Sequence, residues 1–122
     1  MVEGTLDLSG KVVLVVEDDA IVGSGLVCYL EGAGADVCWV GNVDDALTRI
    51  GQGPGLDLAV VDLNLCGAIS TPVVDRLVAG GVHTILCTGY DSASIEPRFQ
   101  SLPRSEKPFT RAKMRQLLMA VV

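Results

Sequence analysis

A chain of 122 residues has the commonest size of a single domain, and its 49% hydrophobic against 20% charged residues exclude a disordered polypeptide. No apolar run approaches the length of a bilayer crossing and no basic flank leads into an apolar signal sequence, so a soluble, cytoplasmic protein with no membrane association is expected. The net charge of −6 argues against wholesale attraction to nucleic acid or anionic lipid.

In chain order, the first ten residues, MVEGTLDLSG, carry no core pattern and read as a leader or vector-derived remnant, which leaves residues 11–122 as the domain. Val12 to Val16 (VVLVV) is a continuous β-branched run that stops at Glu17-Asp18-Asp19, the signature of a strand buried on both faces. Val22, Leu26 and Leu30 then follow helical spacing. Residues 35–40 (ADVCWV) form a second strand, opened by the turn signal Gly32-Ala33-Gly34, with Trp39 expected to pack on the sheet. Val43, Ala46, Leu47 and Ile50 form the stripe of a second helix, ended by Gly51 to Gly55 with Pro54.

Residues 56–61 (LDLAVV) make a third strand ending on Asp62. A third helix, with Val73, Val74, Leu77 and Val78 on its apolar stripe, is entered through Ser70-Thr71-Pro72, where a hydroxyl is expected to cap the first turn. Residues 82–88 (VHTILCT) form a fourth strand stopped by Gly89, and His83 at its start reads as a local hydrogen-bonding residue. One short helix broken at Pro97 fits within 92–100, and a fifth strand must lie within 102–107. Met114, Leu117, Leu118 and Val121 mark the last helix. Strands alternating with helices of about ten residues imply right-handed crossovers. The expected fold is therefore α/β: an open, doubly wound, five-stranded parallel sheet with helices on both faces.

Charge is unevenly spread. Residues 98–122 hold six basic residues against Glu106, a net of +5, while the rest of the chain holds three basic and fourteen acidic residues, a net of −11. Such asymmetry can mark a partner-binding face, here expected over 104–121, or simply a solvated helix. Cys28, Cys38, Cys66 and Cys87 show neither a C-x-x-C pair nor zinc-like spacing with His83, so reduced cysteines are expected. Gly23-Ser24-Gly25 begins like a dinucleotide fingerprint, but Cys28 occupies the sixth position and the fragment falls inside a helix, so it marks no nucleotide site.

In an open parallel sheet, ligands bind beyond the carboxyl ends of the strands, where strand order reverses. Here the strands end in Glu17-Asp18-Asp19, Asp62, Thr88-Gly89 and Glu106-Lys107-Pro108. Carboxylates gathered on one rim repel unless a cation neutralises them. Mg2+ suits this setting, because it takes oxygen ligands and needs only one or two carboxylates. Asp18 and Asp62 are the expected direct ligands, Glu17 a ligand through water, and the backbone carbonyl of Asn64 a further oxygen. Asp62 is also the candidate nucleophile toward phosphorus, with Mg2+, Lys107 and the Thr88 hydroxyl available to stabilise charge on the transferred phosphoryl group.

Four segments on strand ends, LVVEDD (14–19), VVDLNL (60–65), LCTGY (86–90) and EKPF (106–109), make the chain resemble the CheY-like receiver domain of two-component response regulators over residues 11–121. The resemblance implies a flavodoxin-like strand order 2-1-3-4-5. It also implies Asp62 as phosphoacceptor, Glu17 and Asp18 as the acidic pair holding Mg2+, Thr88 as switch hydroxyl, and Lys107 as phosphate-binding ammonium before a cis Pro108, with Asp19 a neighbour rather than a ligand. The TGYD segment and the short route to EKPF look most like stand-alone or kinase-attached receivers of alphaproteobacterial signalling.

The sequence departs from the family pattern at three places: Arg104 stands where a switch aromatic is usual, Cys66 where a proline often follows the acceptor, and Thr88 lies only 19 positions before Lys107. Asn64 and Tyr90 flank the site, where the resemblance implies an influence on dephosphorylation. The function so implied is not enzymatic turnover, although the domain would assist its own phosphorylation and dephosphorylation. A histidine kinase or phosphotransfer protein would donate phosphate to Asp62, and the modified domain would switch its binding to a downstream protein. Two other readings share the fold: a docking scaffold that is never phosphorylated, and a phosphatase with an aspartate nucleophile, which would normally need a second acid where Asn64 stands.

Overall fold

The computed structural model describes residues 6–53, 55–65, 67–88, 96–106 and 110–120. Five parallel strands form the main sheet: β1 (Val12–Val16), β2 (Asp36–Val40), β3 (Leu58–Asp62), β6 (His83–Thr88) and β7 (Arg104–Glu106). They stand in the order β2-β1-β3-β6-β7, which is the expected 2-1-3-4-5 once two short additional strands are set aside. Those two, β4 (Asn64–Leu65) and β5 (Ala68–Ile69), pair antiparallel directly after Asp62. The sequence does not announce this hairpin, because two-residue strands are too short to show a period.

Side-chain alternation along the central strands sorts the core into two layers. Val13, Val15, Leu58, Val60, Ile85 and Cys87 face one side, covered by α1 (Ala20–Gly32) through Leu26 and Leu30 and by α4 (Arg111–Met119) through Met114 and Leu118. Leu14, Val16, Ala59, Val61 and Leu86 face the other, covered by α2 (Val43–Gly51) through Ala46 and by α3 (Thr71–Ala79) through Val73, Val74 and Leu77. Truncating any of these leucines to alanine typically costs about 2–5 kcal/mol. No helix among the described residues is long and apolar enough to cross a membrane.

Three local expectations need correction. Leu6 and Leu8 are buried in the layer beneath α1, and the Leu8 amide donates to the Ala33 carbonyl at 2.7 Å. Leu6 and Leu8 therefore do contribute to the core. Two leucines are too few to show a period, and the partner of the Leu8 amide lies more than twenty positions away.

Ser70 does begin α3, yet its hydroxyl makes no cap bond to the helix. Instead it donates to the Asp62 carbonyl at 2.7 Å. Trp39 lies at the sheet edge, 40% exposed, with its ring against Gly23 of α1. Cys28 is exposed on α1, whereas Cys87 is buried in the core as a small hydrophobe; Cys28, Cys38 and Cys87 are all free thiols. In the stretch expected to hold a short helix broken at Pro97, a 3-10 turn spans Pro97–Phe99, and 92–95 lie outside the described residues.

Candidate functional site

Strand order reverses between β1 and β3, since β2 lies beyond β1 on one side and β6 and β7 lie beyond β3 on the other. The carboxyl ends of these two strands therefore open onto a shared crevice. Glu17 follows β1 directly, its amide donating to the Val40 carbonyl at 3.0 Å. Asp62 ends β3 opposite Cys87 of β6. Carboxylate oxygens of Glu17, Asp18 and Asp62 all lie within 4.8 Å of one another. Glu17 is 1% and Asp62 5% exposed, while Asp18 faces solvent. Three of the expected acids thus converge from positions up to 45 residues apart.

Local hydrogen bonds orient two of them. Glu17 Oε1 accepts from the Asp19 amide at 3.1 Å, and Asp62 Oδ1 accepts from the Asn64 amide at 3.0 Å. Asp19 turns away to cap α1, with Oδ1 accepting from the amides of Ile21 and Val22 at 2.8 and 3.1 Å. This is the ordinary N-cap geometry. Asn64 anchors the hairpin: its Oδ1 accepts from the Gly67 amide at 2.9 Å, where Gly67 has φ of 87° and so suits a residue without a side chain. The carboxyl terminus of β3 is held as well by the Leu63 amide, which donates to Cys87 O at 3.1 Å, and by Ser70, whose amide donates to Leu63 O at 3.0 Å.

Thr88 ends β6 beside Glu106 of β7 and is 4% exposed. Its Oγ1 is buried with no hydrogen-bond partner among the described residues. Buried hydroxyls are nearly always satisfied, so such a group invites an explanation. Lys107, Pro108, Gly89, Tyr90 and Cys66, all singled out in the sequence, lie outside the described residues. Arg104 sits in β7, half-buried, with Nη1 donating to Gln100 Oε1 at 3.0 Å.

Sequence reasoning passed over Ser70 and Trp39 as site neighbours. Ser70 reaches the Asp62 carbonyl, and Trp39 Nε1 donates to the Glu17 carbonyl at 2.9 Å. Neither bond leaves a local pattern, since they span 8 and 22 positions.

Comparison with known proteins decides which family the fold belongs to. SdrG from Sphingomonas melonis Fr1 is 33% identical, with 91% of this chain and 95% of that one covered at a TM-score of 0.77. A second SdrG structure, from Pseudomonas melonis Fr1 and in a BeF3-activated conformation, is 32% identical over 92% and 96% of the two chains with a TM-score of 0.76. A response regulator receiver protein from Burkholderia phymatum is 25% identical over 91% and 94% of the two chains, with a TM-score of 0.78.

The chain belongs to the response-regulator receiver domains. A curated relative, the swarming motility regulation protein RssB of Serratia marcescens, is 43% identical over 53 residues, which is 43% of this receiver but only 24% of RssB. The match therefore spans about a quarter of that longer protein. No family model matches the receiver chain.

The acidic crevice of this receiver suits a hard divalent cation. All three side chains offer carboxylate oxygens, two of them are withdrawn from solvent, and their mutual repulsion is relieved when a cation sits between them.

Proposed function

We propose that this receiver accepts a phosphoryl group on Asp62 in a Mg2+-dependent reaction and so switches its binding to a partner in two-component signalling. The observation that carries the proposal is the convergence of the Glu17, Asp18 and Asp62 carboxylates within 4.8 Å at the point where strand order reverses. Glu17, Asp18, Asp62 and the backbone carbonyl of Asn64 would hold the cation. When bound, Mg2+ would offset negative charge on the acids and on the incoming phosphoryl oxygens.

The donor would be a phosphohistidine of a histidine kinase or phosphotransfer protein. One Asp62 carboxylate oxygen attacks phosphorus, an O–P bond forms, the N–P bond breaks, and its electron pair returns to the imidazole, which takes up a proton. The bond from the Asn64 amide to Asp62 Oδ1 restricts rotation of the nucleophile. Thr88 and Lys107 would then bind phosphoryl oxygens. The buried Thr88 hydroxyl, which has no partner among the described residues, would gain an acceptor in the phosphorylated state. That gain would favour a rearranged β6–β7 region.

The downstream protein would dock on the 104–121 face, where Arg111 and Lys113 are exposed and Arg104 is half-buried. A cytoplasmic location accompanies this reading, with no direct contact to nucleic acid or membrane. Incubation with Mg2+ and acetyl phosphate is expected to add one phosphoryl group, detected by intact mass. Asp62→Asn should abolish the addition. Labelling of the Asp62→Asn protein would overturn the assignment, and an unlabelled wild type would point to a docking scaffold instead.

A further inference from the structure

We propose that Trp39 is a positioning residue for the cation site, fixing the peptide that aims Asp18; the inference rests on the Mg2+-binding role proposed above. Trp39 is the only tryptophan of the chain and lies on β2, an edge strand. Its indole Nε1 donates at 2.9 Å to the carbonyl oxygen of Glu17. That carbonyl belongs to the peptide joining Glu17 to Asp18, two of the three clustered acids. The amide on the other side of Glu17 donates to Val40 O at 3.0 Å. Adjacent residues of β2 thus grip Glu17 at both backbone groups, and rotation of the Glu17–Asp18 peptide would break the indole bond.

The neighbouring helix is shaped to admit the ring. Gly23 is buried within α1, and a Cβ there would overlap indole Cζ2 and Cε2 and lie 2.9 Å from Cη2. Glycine weakens a helix interior relative to alanine, and at this position it is the residue that leaves room for the ring. Burial alone does not account for the arrangement, because the ring stays 40% exposed. What the geometry secures is the direction of the N–H. On the far side of the loop, the Asp19 amide donates to Glu17 Oε1 and the Asp19 carboxylate caps α1. The β1–α1 turn is therefore braced from both β2 and α1, as preorganised ligand sites require.

Two substitutions break the brace in different ways. Trp39→Phe keeps an aromatic ring and deletes the N–H, while Gly23→Ala keeps the N–H and displaces the ring. Calorimetric Mg2+ titration of both, with Asp18→Asn as reference, is expected to show dissociation constants raised about three- to tenfold, the worth of one hydrogen bond. The double variant should be no weaker than the worse single variant. The Mg2+ concentration giving half-maximal acetyl phosphate labelling should rise more than the maximal rate falls. In the wild type, the sole indole N–H proton resonance should move during the Mg2+ titration with the same half-saturation.

A role confined to folding would lower urea stability in EDTA and leave the dissociation constant within twofold. That result in Trp39→Phe, alongside loss of binding in Asp18→Asn, would overturn the positioning role while leaving the cation site intact. Absence of saturable Mg2+ binding by the wild type would overturn both. Should Gly23→Ala not fold, Trp39→Phe decides alone.

Discussion

Replacing Asp62 by asparagine should make the metal-free protein more stable, although it removes the residue at the centre of the site. Glu17, Asp18 and Asp62 present oxygens within 4.8 Å of one another. At that separation two like charges repel by about 0.9 kcal/mol in bulk water and by about 3.5 kcal/mol at an effective dielectric of 20. Asp62 takes part in two such pairs. The pair with buried Glu17 lies toward the upper figure and the pair with exposed Asp18 toward the lower. Because the amide retains Oδ1, it can still accept from the Asn64 N–H, so the substitution removes charge without breaking that bond.

After partial compensation by surrounding groups, a net gain of about 1–3 kcal/mol is expected in EDTA. It would be read as a raised urea midpoint with an unchanged slope. Saturating Mg2+ should narrow or reverse the order, since a ligand at a hundred times its dissociation constant stabilises the wild type by about 2.7 kcal/mol and the neutral variant by less. A variant less stable than wild type in EDTA, or one gaining as much from Mg2+, would refute the reasoning.

Three further outcomes are expected. Thr88→Val replaces a buried hydroxyl that has no partner among the described residues by a group of similar shape; unfolding in urea without phosphodonor should show no loss, or a gain of up to about 1 kcal/mol, while donor-induced NMR shifts along β6 and β7 should shrink. Ser70→Ala removes the buried bond to the Asp62 carbonyl and should cost about 1–2 kcal/mol in the same assay. Asp75 of α3 accepts from Arg98 Nε and Nη2 at 3.0 and 2.9 Å, and these hydrogen bonds hold its carboxyl below the usual carboxylate range despite some desolvation. The stabilisation is therefore complete above the ordinary carboxylate pKa and is lost as pH falls through the lowered folded-state value. An NMR titration should place the Asp75 midpoint low, and Arg98→Gln should return it to the ordinary range.

Much of the fold was legible because strand burial and helix stripes are local signals. VVLVV at 12–16 has β-branched residues on both faces, and the structure divides them between two core layers. The acids were legible because four segments, LVVEDD, VVDLNL, LCTGY and EKPF, all fall on strand ends, whereas a carboxylate ending one apolar run is by itself more often a plain polar terminus. Ser70 shows where the local reading stops. Its place before Thr71-Pro72 marks the helix start correctly, but the hydroxyl donates to the Asp62 carbonyl instead of capping the helix.

Trp39 shows the same limit, for its indole answers to Gly23 and Glu17 across the fold rather than to its own strand. Leu6 and Leu8 are buried by Ala33 and its surroundings, a pairing that ten isolated residues cannot reveal. The β4–β5 hairpin follows from Asn64 bonding to Gly67, an interaction between adjacent turns with no apolar period.

Backbone amide NMR spectra recorded with Mg2+, and then with beryllofluoride as a phosphoryl mimic, test the central claim most directly. Mg2+ should shift the amides of Asp18, Asp19 and Asn64. Beryllofluoride should then perturb residues around Asp62 and Thr88, with changes reaching β7, and Asp62→Asn should lose the second response. Spectra indifferent to beryllofluoride, or equal responses in wild type and Asp62→Asn, would contradict the account.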